Sequence, residues 1–506
     1  MTQQSKSKNL KANLIFNIIY QVLVLVTPFI TSPYVARVLL PAGQGSYSFG
    51  NSIVSYFSLV AGFGFANYGT IAIAKCRDDK KKYSSIIWEL MIAKGLLTAL
   101  VTVVYSAMLF SGVLYSSGYP MNDLKVYLVF GLLIVGNVFD LTFIFNGLEN
   151  FSSLCYRNIF IKVLNIALIF LFVKQSSDYF NYVIVMTVCS VLSALSTLMI
   201  LPKNVCKTPI SWANIGRHFK SSLIYFVPTI AMTLSPLLSK TVLGTLVVDP
   251  DISGYYESAD KLVTIVTTVI SSVNTVLLSR MSYLYEKKDE KAIVHLTAKI
   301  NELYLVLALP CFFGLLSINR FFTPAFFGDA FVSSIPLVYF LAPKILLQPI
   351  YNILTSIYYL PKGKVTMTSI FLLIGMLFNL LLTYLLTKYF SAIGTALAST
   401  LTELLLVVLY VSFAHKHFRF FTAINAFWKT FDASLLMFIA CFFVSALFAN
   451  RFSNLVLSIL MVVIGSLVYG ISVLLFRESL VVNNVRLVGN KVLSLFKRLS
   501  RKEERK

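Results

Sequence analysis

Ionisable side chains are scarce where this chain is most apolar, and those that occur there are its candidates for chemistry. Arg37 and Lys240 occupy matching positions toward the ends of two apolar stretches, each four residues after a proline, Pro33 and Pro236. If both face a shared interior, they set a positive potential suited to a pyrophosphate or an acidic sugar. Long side chains near helix ends can equally snorkel to the head groups. Lys94 and Lys344 sit deeper, and a charge at the bilayer centre costs about 2.5–3.5 kcal/mol, so such residues ordinarily face a cavity or a partner. Lys94 has three open readings: a pair with Asp140, a cation for an anionic substrate, or a buried neutral amine. Glu403 is the acid placed deep in the later stretches. It suits coupling to a proton or sodium gradient, or a hydrogen-bonded packing role. Asp260 and Lys261 are adjacent, so on a helix they point about 100° apart and cannot both face one partner.

The elements that must position these residues are about fourteen apolar stretches, each near the roughly 20 residues that cross a hydrocarbon core about 30 Å thick. They run at about 11–36, 46–74, 84–114, 124–147, 155–174, 180–201, 221–248, 255–282, 296–318, 333–359, 365–387, 391–414, 430–449 and 453–476. The runs are continuously apolar rather than alternating, which excludes a barrel and predicts an all-α, polytopic membrane protein. A hydrophobic share of 57% and a mean hydropathy of +0.79 leave no water-soluble second domain. The polar, basic start leads into a run too long for a removable leader, so it reads as a first helix.

A net charge of +22 invites a nucleic-acid reading. Most of the 43 Lys and Arg, however, fall in alternate short breaks, and the outer set is small: Arg37, Lys125, Lys174, Arg320, Lys388 and Arg451. Four more, Lys94, Lys240, Lys261 and Lys344, lie within apolar stretches. That asymmetry is the positive-inside pattern of a bacterial cytoplasmic membrane protein with both termini in the cytoplasm. Basicity here reports topology rather than DNA. The tail, 477–506, is basic with apolar residues stepping by three or four, as an interfacial helix or a solvated topogenic tail would be. Six scattered cysteines carry no C-x-x-C pair and no disulfide framework.

A weak internal repeat links the halves. Pro33, Arg37, Gly45 and Tyr47 are echoed by Pro236, Lys240, Gly254 and Tyr256 six stretches later, as in a parallel repeat. The division this implies is an N-lobe, 1–220, a C-lobe, 221–428, and two extra helices within 429–476. The histidines, His218, His295, His415 and His417, fall in or beside cytoplasmic loops without metal spacing. No P-loop, nucleophile elbow or large outer acidic loop is present, so an enzyme is disfavoured and no cofactor or metal is expected.

The segment F-D-L-T-F-I-F-N-G-L-E-N-F-S-S-L-C-Y-R-N resembles bacterial polysaccharide repeat-unit flippases of the Wzx type at Asp140, Phe143, Gly147, Glu149, Arg157 and Asn158. A second match is S-P-Y-V-A-R-V-L-L-P-A-G-Q-G, with Leu40 where the family usually has glycine. A third is G-Y-Y-E-S-A-D-K, ending on Asp260 and Lys261. The resemblance implies a multidrug/oligosaccharidyl-lipid/polysaccharide exporter: two six-helix lobes around a central cavity, plus two helices that serve a lipid tail. It implies an undecaprenyl-pyrophosphate-linked oligosaccharide flipped outward by alternating access, with a polymerase and glycosyltransferases of the same pathway as partners. Rival readings are a lipid II flippase, a cation-coupled drug antiporter and, from another class, a membrane glycosyltransferase or polymerase.

Overall fold

Long apolar runs leave the backbone no partner in a bilayer but itself, and helices satisfy it within each segment. In the computed structural model of the protein, the described residues are 3–115, 119, 121–201, 205–271, 274–414 and 424–476. Among them every regular element is helical. The first half comprises α1 (Gln3–Gly62), α2 (Phe65–Ala74), α3 (Lys80–Phe110), α4 (Leu124–Asn137), α5 (Thr142–Gly147), α6 (Phe151–Phe172) and α7 (Tyr179–Met199). After these come α8 (Trp212–Val247), α9 (Pro250–Ser271), α10 (Asn274–Glu286), α11 (Glu290–Phe327), α12 (Ile335–Leu341), α13 (Lys344–Leu354), α14 (Val365–Ala414), α15 (Ile424–Phe448) and α16 (Asn454–Leu475). The basic tail, His415 and His417 lie outside the described residues.

Ten stretches are long and apolar enough to span a membrane among the described residues, or eleven with the bent pair Asp329–Leu341 and Lys344–Tyr359 taken as one. This makes the chain a multi-pass membrane protein. The number differs from the fourteen stretches of the sequence for local reasons. The runs Val26–Ala74 and Val365–Ala414 have 49 and 50 residues. At 1.5 Å per residue each is more than twice the hydrocarbon thickness. Each also holds a sharp break in helical geometry, at Leu40 (φ 59°, ψ 177°) and at Ser391 (φ 52°, ψ −136°). Position 40 is where the resembling family places glycine, and a positive φ is the physical reason for one there. In the stretch expected at 255–282, residues 272 and 273 between α9 and α10 lie outside the described residues, and the one expected at 124–147 counts as one span although it breaks between α4 and α5.

The chain forms two compact units. One is Met1–Lys261 with Phe327–Leu337 and Thr368–Thr402; the other is Leu262–Phe326 with Val338–Met367 and Glu403–Lys506. In the first, Val35, Tyr105, Tyr127, Phe130 and Ile169 join α1, α3, α4 and α6 in one buried core, and Phe65, Ile87, Phe143 and Ile215 join α2, α3, α5 and α8 in another. In the second, Met437, Cys441, Leu457 and Met461 seal α15 against α16, with Phe313 and Phe321 of α11 packed on the same core. The Tyr469 hydroxyl donates to the Val306 carbonyl at 2.7 Å, tying α16 to α11.

Candidate functional site

Two glycines set the geometry of the ionic cluster in the first unit. A Cβ on Gly45 would strike the Pro250 carbonyl oxygen, and one on Gly254 the Pro41 carbonyl oxygen, so α1 and α9 touch backbone to backbone. These are the paired glycines of the internal repeat. One turn beyond each lie Ser48 and Glu257, and the close approach brings them together: the Ser48 hydroxyl donates to the Glu257 carboxylate at 2.6 Å. Lys240 of α8 reaches the same carboxylate at 2.7 Å. The Ser258 hydroxyl, next along α9, donates to the Gln44 side chain at 3.1 Å.

The Lys240 and Glu257 side chains keep 22% and 21% of their surface exposed, so the pair is mostly covered yet open to a ligand. Lys261, one turn after Glu257 on the same face, adds a second cation acting on that carboxylate. Asp260 adds a second acid acting on Lys240. Tyr47 and Tyr182, with ring centroids 4.9 Å apart, stand beside the carboxylate. The cluster is therefore a Lys240–Glu257 ion pair under the electrostatic influence of Lys261 and Asp260, with two tyrosines beside it.

The matched cation Arg37 has other surroundings. It is exposed on α1, with its stem against Gly328, which has φ 105°. Lys344 opens α13 in the second unit, half-buried. Glu403 lies in that unit too, where the Tyr351 hydroxyl bonds to it and to Gln348.

Lys94 is buried and meets Asp140, but through the backbone: its ammonium donates to the Asp140 carbonyl at 2.9 Å. The Asp140 carboxylate instead accepts from the Thr142 N–H at 3.1 Å, at the start of α5. The break between α4 and α5 explains the difference. A helix end leaves carbonyls without partners, and buried ones must find donors. Lys94 serves Asp140, Thr197 serves Phe139, and the Asn137 amide donates to the Ser58 carbonyl at 2.9 Å. Beside the break is a cavity of about 330 Å³ lined by Asn137, Asp140, Thr142, Arg157, Ser190 and Ser193 among others.

The remaining motif residues have local roles. Arg157 donates to the neighbouring Asn158 side chain. A Cβ on Gly147 would meet Ile73 and the Thr70 carbonyl, so α5 can pack on α2 only with glycine there. Glu149 takes a left-handed turn (φ 57°) after α5 and pairs with Arg77 at 2.7 Å on the surface.

Sequence reasoning passed over two groups. Glu257 occupies a variable position of the G-Y-Y-E-S-A-D-K motif, yet it stands one turn after a contact glycine and one turn before Lys261, and that spacing was its signal. His218 reads as a loop residue but lies buried on α8. Its Nε2 is 2.9 Å from the Glu89 carboxylate and its Nδ1 2.9 Å from the Tyr68 hydroxyl, and Asn214 donates to Glu89 at 3.0 Å. An acid inside the apolar start of α3 needs partners that only the tertiary fold could name.

An all-helical, multi-pass chain with ion pairs and polar clusters among its spans has the architecture of a membrane transporter. The chain belongs to the polysaccharide biosynthesis protein family, whose model matches residues 10–284. It is similar to two curated proteins, both named "Putative O-antigen transporter". One is from Escherichia coli strain K12, 22% identical over 414 residues, covering 81% of this chain and 97% of the relative. The other is from Shigella dysenteriae, 23% identical over 387 residues, covering 75% and 94%. Among solved structures, the lipid II flippase MurJ in an inward closed conformation matches with a TM-score of 0.69 at 17% identity, over 92% of this chain and 99% of that one. An inward-facing multidrug resistance MATE family transporter of the MOP superfamily matches at 0.59 and 13% identity, over 78% and 94%. These names are those of transporters and flippases, none that of an enzyme, and at such identities the structures speak to the fold alone.

Proposed function

We propose that this protein is a flippase for lipid-linked oligosaccharide repeat units in polysaccharide biosynthesis, a transporter and not an enzyme. The carrier lipid is undecaprenyl pyrophosphate, and movement is from the cytoplasmic to the outer leaflet by alternating access of the two lobes, 1–220 and 221–428. Family membership and the O-antigen transporter relatives support the substrate class. The observation that carries the reading within the structure is the Lys240–Glu257–Lys261 cluster. Two ammonium groups, Lys240 and Lys261, and two carboxylates, Glu257 and Asp260, balance the charge of the empty site. A pyrophosphate, with more charge and more acceptor oxygens, can take the place of the Glu257 carboxylate and draw on both cations.

An oligosaccharide diphosphate crossing hydrocarbon alone would lose water from many hydroxyls and a charged group, at several kcal/mol per unsatisfied group. A polar path through the protein removes that cost, while the polyprenyl chain stays in lipid beside the extra helices, 429–476. Both termini face the cytoplasm, and the drive is a proton or sodium gradient read by Glu403. Arg37, Lys94 and Lys344 supply further positive potential. The polymerase and glycosyltransferases of the pathway are its working partners. In a strain lacking this gene, lipid-linked repeat units are expected to accumulate on the cytoplasmic leaflet while surface polysaccharide disappears. Normal surface polymer in that strain would overturn the proposal.

A further inference from the structure

A cationic, aromatic turn in the second unit is not used by the reading above. After α13 the backbone forms a π-helical turn over Thr355–Tyr359, against which α10 packs. Such turns are uncommon and recur at functional sites. The chain then reverses through Pro361, Lys362, Gly363 and Lys364, with Gly363 at φ 71°. This left-handed glycine folds both lysines back over one ring. The Lys362 ammonium lies 4.6 Å and the Lys364 ammonium 5.1 Å from the Tyr358 centroid, and Lys362 is also 5.5 Å from the Tyr285 ring. Lys364 further donates to the Tyr358 hydroxyl at 3.3 Å.

Two like charges gathered over one ring repel each other, and the ring offsets only part of that cost. Among the described residues no carboxylate forms an ion pair with either lysine. Lys362 is exposed and Lys364 half-buried, while the Tyr358 ring they lie over is buried, so the Lys362 ammonium is open to a ligand above a covered ring. Each ammonium offers three donors, and an anion with several oxygens can bridge the two. The turn joins two spans on the side that the basic loops assign to the cytoplasm, and tyrosine and lysine together mark the head-group level of a bilayer.

We propose that the Lys362–Lys364 turn, with Tyr358 and Tyr285, is a binding site for the phosphate group of a lipid at the cytoplasmic face. The phosphate can belong to a bilayer phospholipid or to the polyprenyl diphosphate of an arriving substrate, and its chemistry is the same in both. The experiment uses the full-length protein in neutral phosphatidylcholine nanodiscs. Binding of phosphatidylglycerol and of undecaprenyl diphosphate is measured separately on the wild type, on Lys362→Gln/Lys364→Gln and on Lys362→Arg/Lys364→Arg.

The glutamine pair is expected to weaken binding about tenfold, from the loss of two charge-assisted contacts, and the arginine pair to retain it. An effect on phosphatidylglycerol alone assigns the site to bilayer lipid, and an effect on the diphosphate, alone or with the other, assigns it to substrate capture. Both outcomes support the proposal, and neither depends on transport. Unchanged affinity of the folded glutamine variant for both lipids would overturn it. If that variant does not stay monodisperse, the single variant Lys362→Gln gives the same decision, because Lys362 is the more exposed of the two.

Discussion

Removing one member of the Lys240–Glu257 pair is expected to harm the protein more than removing both. Lys240→Gln leaves the Glu257 carboxylate largely covered, held by Ser48 and with Lys261 as its remaining cation; Glu257→Gln leaves the Lys240 ammonium without its carboxylate. Breaking a fully buried pair costs about 3–5 kcal/mol. Each side chain here keeps about a fifth of its surface, so water screens part of that cost, and about 2–3 kcal/mol per single substitution is expected. Lys240→Gln/Glu257→Gln strands no charge, and its loss is expected near 1 kcal/mol. The coupling is then about 3–5 kcal/mol, more than about a hundredfold in the unfolding equilibrium. SDS titration of the purified variants in mixed micelles, followed by circular dichroism, measures it. A coupling below about 0.5 kcal/mol, the value of a solvent-exposed pair, would refute the account of a covered, mutually dependent pair. The double variant is also expected to fold but fail to restore surface polysaccharide, which separates the stabilising role of the pair from its role in transport.

Three further outcomes are expected. Leu40→Gly should raise stability by about 1 kcal/mol in the same titration, because leucine is held at φ 59° while keeping 43% of its surface exposed; a loss of stability would contradict the strain argument. Gly254→Ala should abolish monodisperse protein in size-exclusion chromatography, since the added Cβ meets the Pro41 carbonyl, a backbone atom that cannot rotate away; an alanine variant as stable as the wild type would remove the contact between α1 and α9 from the account. Glu403→Gln, nearly isosteric and still able to bond Tyr351, should lower export and blunt its dependence on proton and sodium gradients, measured by surface polymer under ionophores; an unchanged dependence would leave Glu403 a packing residue.

The spans were legible because a membrane imposes one rule on every residue of a segment, and a run of leucine and phenylalanine states it plainly. The breaks were less so. The interruption between α4 and α5 lies inside an apolar run without proline, and Lys94 and Thr197 supply the bonds that the helix gives up there. Those donors come from other helices, so no local pattern announces the break. Leu40 is the opposite case: the motif departs from glycine there, and the structure holds that leucine at a positive φ.

The site was half visible. Lys240 stood out as a cation in an apolar stretch, but its partner Glu257 lay in a motif position without a requirement, and a lone ammonium reads differently from a paired one. Of the readings open for Lys94, the structure places it beside Asp140, but its bond runs to the backbone carbonyl while the carboxylate accepts from the Thr142 N–H. Charge can be read from a sequence, whereas the choice between a side chain and a backbone acceptor depends on where a helix stops.

The central claim is movement of a lipid-linked oligosaccharide across a bilayer. Its most direct test is reconstitution of the purified protein into liposomes carrying fluorescent undecaprenyl-pyrophosphate oligosaccharide, with exposure of the glycan read by an impermeant glycosidase. With the wild type, the glycan first shielded in the inner leaflet should become cleavable, and with Lys240→Gln/Glu257→Gln it should stay shielded. Continued shielding in liposomes that contain folded wild-type protein and an imposed ion gradient would contradict the account.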